Sequence, residues 1–163
     1  MPVWAKKTVF LIVVILIGIF LDQATKILIQ HWLVPNQTVS VIPGFFNITH
    51  VYNPGGAFGI FSGFGSLFRK IFFLATGIFA AAFILYLYIK TPWQKKWVLA
   101  SFGMIVAGAI GNVIDRLRYG MVVDFLDVYL GKYHWPAFNV ADSMICIGIG
   151  IIMIYIIRQK EEI

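Results

Sequence analysis

The stretch from Val9 to Lys26 reads VFLIVVILIGIFLDQATK, and it decides the fold. From Val9 to Leu21 it holds no charged side chain and no proline, and Asp22 and Lys26 then follow at i, i+4 spacing. A helix crosses about 30 Å of hydrocarbon with about 20 predominantly apolar residues, so the segment from about Thr8 to Gln30 is long enough to span a bilayer. Lys6 and Lys7 ahead of it resemble the charged start of a secretory signal peptide. The run passes into Asp22 and Lys26 without a small-residue cleavage site, however, which predicts a retained span. Three further segments share this character: Ile71 to Ile89, Trp97 to Ile114 and Phe138 to Ile157. The expected architecture is one integral membrane domain over residues 1–163, mainly α. It has four transmembrane helices at about 8–30, 71–89, 97–114 and 138–157, and exterior loops at 31–68 and 115–137.

Composition points the same way. Of 163 residues, 60% are hydrophobic and 12% charged, where a soluble domain carries roughly 25% charged residues. A soluble chain this short cannot hide so much apolar surface in one core. The net charge of +6 comes from small Lys and Arg clusters beside the apolar runs. Such flanking charge fixes topology, and no basic face with interleaved aromatics points to nucleic acid. Lys6, Lys7, Lys90, Lys95, Lys96, Arg158 and Lys160 fall on the side holding both termini, against Arg69, Lys70, Arg116, Arg118 and Lys132 on the other. The positive-inside rule therefore places both termini in the cytoplasm. The single cysteine, Cys146, lies in an apolar run and excludes an intrachain disulfide. His31, His50 and His134 lie far apart without ligand spacing, so neither a metal nor a cofactor is expected.

The long exterior segments carry strand-like pieces. Thr38–Ile42 and Phe46–Tyr52 flank Pro43-Gly44, Asn53-Pro54-Gly55-Gly56 reads as a tight turn, and Met121–Leu130 is a third β-rich piece. A small β-rich subdomain on the outer membrane surface is expected.

Polar residues converge on that surface. Five of the seven acidic residues are aspartates: Asp22, Asp115, Asp124, Asp127 and Asp142. At 1.5 Å of rise per residue, Asp22 lies about 21 Å up from Thr8, Asn112 about 23 Å up from Trp97, and Asp142 about 23 Å from Ile157. Three helices thus bring polar groups to one depth, where such residues are costly in lipid and usually face a polar interior. Each group also has a plain structural reading. Asp22 and Lys26 fit a helical ion pair with the acid first. Asn112 and Asp115 share a helix face, and with Arg116, free to pair with a carboxylate, they form either a polar clamp ending helix three or a substrate contact. Asn139 and Asp142 fit an N-cap and first-turn acid. Asp124, within Val122-Val123-Asp124-Phe125, is harder to explain without a partner or a task, because an aspartate among apolar, β-forming residues is desolvated.

If Asp124 and Asp142 meet, they form an acid/base pair. Close like charges do not both ionise readily, so one carboxyl keeps a proton. The ionised member can accept a proton from water while the protonated one polarises a peptide carbonyl. A helix start favours charge on Asp142, and an apolar strand favours the proton on Asp124.

At these residues the chain resembles lipoprotein signal peptidase (signal peptidase II), a family of bacterial membrane aspartyl proteases. The matching pieces are Asp22 and Lys26 in DQATK, Asn53-Pro54-Gly55-Gly56-Ala57-Phe58, Gly111-Asn112-Val113-Ile114-Asp115-Arg116, Val122-Val123-Asp124-Phe125 and Phe138-Asn139-Val140-Ala141-Asp142-Ser143. They occur in the family's order and span nearly the whole chain. One departure is Gly56, where the family commonly has alanine. The resemblance implies that Asp124 and Asp142 are the catalytic dyad, and that Asn53, Asn112, Arg116 and Asn139 line or support the substrate site. It implies that Asp22, Lys26 and Asp115 support the architecture. It also implies a prolipoprotein substrate carrying diacylglyceryl on a cysteine and cut just before it, in the bacterial cytoplasmic membrane with the site at the outer face.

Two other functions compete on sequence. A proton or ion transporter needs charges near mid-bilayer, but the inner two-thirds of each span is apolar. A Ser–Lys protease would pair Ser143 or Ser62 with Lys26 or Lys70, and no such pair shares an obvious helix face.

Overall fold

The computed structural model describes residues 1–55 and 63–160, which form four long helices and a small antiparallel sheet. Gly56, Ala57, Phe58 and Ser62, named in the sequence reading, lie outside the described residues. The helices are α1 (Val3–Trp32), α2 (Ser66–Lys90), α3 (Lys96–Tyr119) and α4 (Val140–Lys160), and each is long and apolar enough to cross a membrane. Their outward surfaces show why hydropathy found them. Leu16, Phe20 and Leu28 on α1, Ile78 and Phe79 on α2, and Met153 and Ile157 on α4 are all exposed, as lipid contact requires. The protein is a multi-pass membrane protein.

The helices outrun the hydropathy limits at several ends, because a helix can continue into the interface after its apolar run stops. The difference that matters for the site is in α3. It runs on to Tyr119 and stops at Gly120, which takes a left-handed φ of 71° and donates its N–H to the Arg116 carbonyl. Asp115 and Arg116, expected in an exterior loop, therefore sit on the last turns of a rigid helix. α4 begins at Val140, two residues later than hydropathy suggests, because Asn139 caps it.

α3 is the most enclosed helix and packs against α1, α2 and α4. Small residues allow that closeness. A Cβ on Gly108 would collide with the Ala141 carbonyl oxygen, and one on Gly111 with the Asp22 carboxylate. Near the turn between α2 and α3 the interior is apolar, built on Tyr88, Val98, Leu99 and Phe102. The opposite end is polar and carries the sheet.

The sheet comprises β1 (Thr38–Ile42), β2 (Phe46–Asn53), β3 (Val122–Leu130) and β4 (Tyr133–His134), in that spatial order, with every pairing antiparallel. The three β-rich pieces read from sequence correspond to β1, β2 and β3. β4 was not foreseen. Between Ile48 and Val51 the pairing of β2 with β3 slips by one residue: Ile48 faces Leu126, but Val51 faces Asp124. The start of β3 is fixed to the helices by the Val123 N–H, which donates to the Asp115 carboxylate at 3.1 Å.

Candidate active site

Strand β3, the start of α4 and the last turns of α3 surround one cavity of about 450 Å³. Asp124 and Asp142 both line it, with Asn53, Asn112 and Arg116. Asn139 lies between the two carboxyls. Its Nδ2 donates to Asp124 Oδ1 at 2.7 Å, its Oδ1 accepts the Asp142 N–H at 3.0 Å, and its own N–H donates to Asp142 Oδ2 at 3.3 Å. The last two contacts are a reciprocal helix cap, so the plain reading of Asn139 and Asp142 is present in the geometry. The Nδ2 contact adds a link to Asp124 that capping does not need.

Each carboxyl has a second amide donor. Asn53 Nδ2 reaches Asp124 Oδ2 at 2.9 Å, and Asn112 Nδ2 reaches Asp142 Oδ1 at 2.8 Å. Asn53 is shaped for this by its turn, since its Oδ1 accepts the Gly55 N–H at 3.0 Å. Asp124 is 2% exposed. Burial pushes its carboxyl up to about 7, and the charge of Asp142 pushes in the same direction, against the Asn53 and Asn139 amides and the charge of Lys26.

Behind the cavity lies a buried ionic layer. Lys26 sits between Asp22 and Asp115, at 3.0 and 2.9 Å, and also donates to Asn112 Oδ1 at 3.1 Å. All three charged groups are at most 2% exposed. Asp22 Oδ1 in turn accepts the Ala141 N–H at 3.0 Å, so α1 helps to cap α4. The i, i+4 pair read from sequence is therefore one edge of a larger cluster. Lys26 is committed to carboxylates and an amide, and Ser143 Oγ donates to the Asn139 carbonyl at 2.9 Å, so these two do not form a Ser–Lys pair.

The remaining candidates fall less neatly. Arg116 was expected to be able to pair with a carboxylate. Among the described residues it makes no ion pair, and its guanidinium instead donates to the carbonyls of Asn112 and Gly55 at 3.2 and 3.4 Å. Its Cζ also lies 4.5 Å from the Phe73 ring centre. Asp127 stays apart from the cavity, held by Asn47 and His134, each at 2.8 Å. Sequence reading overlooked Gln23, whose Nε2 is 3.0 Å from both the Asp22 and the Asp115 carboxylates. Its place between Asp22 and Lys26 was the available signal. Among the described residues, no group of three His, Cys, Asp or Glu side chains is arranged to hold a metal ion.

The fold and this site define a polytopic membrane enzyme. The family model described as Signal peptidase (SPase) II matches residues 14–158. A lipoprotein signal peptidase from Desulforapulum autotrophicum is 52% identical over 155 residues, covering 95% of this chain and 96% of that protein. Another, from Syntrophus aciditrophicus, is 43% identical, covering 88% and 89%. A solved bacterial membrane enzyme structure superposes with a TM-score of 0.83 at 34% identity, covering 93% of this chain and 90% of that one. The chain belongs to the signal peptidase II family.

Proposed function

We propose that the protein is an aspartic endopeptidase that removes the signal peptide from diacylglyceryl-modified prolipoproteins, cutting just before the lipidated cysteine. The observation that carries this reading is the pairing of Asp124 and Asp142 in one cavity, joined through Asn139. With Asp124 pushed up to about 7, one proton is held by the pair near neutral pH. Asp142 accepts a proton from the attacking water as the new C–O bond forms. Asp124 gives its proton to the carbonyl oxygen, yielding a neutral tetrahedral diol. On collapse the C–N bond breaks, the proton on Asp142 goes to the leaving nitrogen, and Asp124 recovers a proton from the diol. Asn53, Asn112 and Asn139 orient the carboxyls, and Asn53, Asn112 and Arg116 line the substrate path. Asp22, Lys26 and Asp115 hold three helices in register beneath them.

In this reading the protein lies in the bacterial cytoplasmic membrane with both termini in the cytoplasm and the cavity near the outer headgroups. A lipid on the substrate cysteine would hold the scissile bond at that level. The test is cleavage by the purified protein in detergent of a prolipoprotein with and without its diacylglyceryl group. Cleavage before the cysteine of the lipidated form alone is expected. Equal cleavage of both forms, or cleavage elsewhere, would overturn the substrate assignment.

A further inference from the structure

We propose that His50 is a positioning residue: it clamps the one-residue slip in β2 that turns Asn53 onto the same sheet face as Asp124. The activity arm of this proposal rests on the dyad reading above, and the register arm does not. Asn47 pairs with Asp127 and Ile48 with Leu126, whereas Val51 pairs with Asp124 and Asn53 with Val122. Thr49 and His50 therefore stand against the single residue Phe125, which is a β-bulge. Directly opposed residues share a face, and side chains alternate along a strand. With the slip, Val51 and Asn53 share the face of Asp124. Without it, His50 would oppose Asp124, and Asn53, three residues on, would point to the other face. A one-residue error would thus remove the Asn53 amide from Asp124 Oδ2, now 2.9 Å away.

The bulge is gripped from α1 and the turn that follows it. The Asn36 N–H donates to the His50 carbonyl at 2.7 Å, and the His50 N–H donates to the Gln37 carbonyl at 3.0 Å. The imidazole completes the grip. His50 is 1% exposed, and its Nδ1 lies 2.8 Å from the Leu33 carbonyl at the end of α1. A carbonyl only accepts, so Nδ1 carries the proton. Nε2 is buried among the described residues without a partner, so the ring serves Leu33 through one atom. One residue past Val51, Tyr52 contacts the same ring at 4.9 Å and accepts from Gln30 Nε2 at 3.2 Å. α1 thus holds the residues of β2 that face away from Asp124.

The experiment compares His50→Asn, whose Nδ2 falls where the imidazole Nδ1 was, with His50→Gln and His50→Leu, which supply no donor there. Register is read by disulfide formation between Tyr52→Cys and Val123→Cys in a Cys146→Ala background, since these positions are direct partners. The parent and His50→Asn should cross-link efficiently. His50→Leu and His50→Gln should lose most of that yield, and Tyr52→Cys should instead cross-link to Val122→Cys. In the enzyme without added cysteines, His50→Leu and His50→Gln should lower kcat about tenfold. The alkaline limb of their pH profile should move upward, because Asp124 loses an amide that favours its charged form. His50→Asn should restore both. Unchanged Tyr52–Val123 cross-linking in His50→Leu would overturn the clamp whatever the enzyme cleaves. So would a loss of turnover in His50→Leu with an unmoved pH profile, or failure of His50→Asn to outperform His50→Gln.

Discussion

At the end of the bundle by the Lys90–Lys96 turn, Tyr88, Val98, Leu99 and Phe102 close on one another as an apolar core. At the other end the same helices enclose Asp22, Lys26, Asn112 and Asp115, joined by contacts of 2.9 to 3.1 Å. α3 contributes to both. Its Leu99 is as fully enclosed as its Asp115, so the ends differ in what holds the helices together rather than in how tightly they pack. Apolar packing tolerates approximate fits and loses stability gradually. A buried ionic cluster fixes one geometry and fails when a single partner is removed. That is the kind of floor a carboxyl pair needs if its two acids are to be held apart in protonation yet close in space.

The largest effect should come from breaking the polar end at its centre. Lys26→Met would leave Asp22 and Asp115 as buried carboxylates without a cation, at a cost of about 3–5 kcal/mol. Turnover should fall with stability, because Asn112, which carries Asp142, also loses one of the two donors to its Oδ1. Thermal melting and cleavage should decline together; separate responses would argue against the coupling. Leu99→Ala at the apolar end should cost a similar about 2–5 kcal/mol through its cavity, but turnover per folded molecule should be retained. A loss of specific activity there would erase the distinction between the ends.

Asp22→Asn is a milder probe. It keeps an acceptor for the Ala141 N–H and removes one of the two ion pairs to Lys26 while leaving the one to Asp115. A loss of about 1–3 kcal/mol with measurable turnover is expected. Abolished turnover at unchanged stability would give Asp22 a chemical role.

The smallest effect is in pH. Because Asp124 is pushed up to about 7, its proton is held below that value and lost above it. If this proton is donated to the carbonyl, kcat/KM should fall as pH rises through about 7. Folding stability has the same sign. Between the ordinary carboxylate range and about 7 the folded state binds more proton than the unfolded one, so stability falls as pH rises through that window. Asp124→Asn should flatten the slope, which melting curves between pH 4 and about pH 8 would read.

How much of this was legible in the sequence depended on the kind of interaction. The spans were plain because α1, α2 and α4 turn most of their surface to lipid, and lipid demands apolar side chains all round. Their ends were not, because caps such as Asn139 and Gly120 act through local hydrogen bonds that hydropathy does not register. Asp124 stood out as a charge among β-forming residues. Its approach to Asp142 became visible only with the sheet, which brings β3 against the start of α4 through the Leu126–Phe138 bridge. The slip at His50 left no mark in composition or alternation, since it depends on a grip from residues of α1 and its following turn. The Arg116 contacts were hidden for a related reason: a sequence shows that a cation is near carboxylates, but not which backbone carbonyls its guanidinium meets.

The central claim is that Asp124 and Asp142 act as one catalytic unit. Asparagine preserves the size of each side chain while removing its acid/base chemistry. Purified Asp124→Asn and Asp142→Asn, each with a cooperative melt no lower than the parent's by more than a few degrees, should be assayed with diacylglyceryl-modified prolipoprotein in detergent. The account predicts that both bind the substrate and neither cleaves it. Cleavage near the parent rate by either folded variant would contradict it.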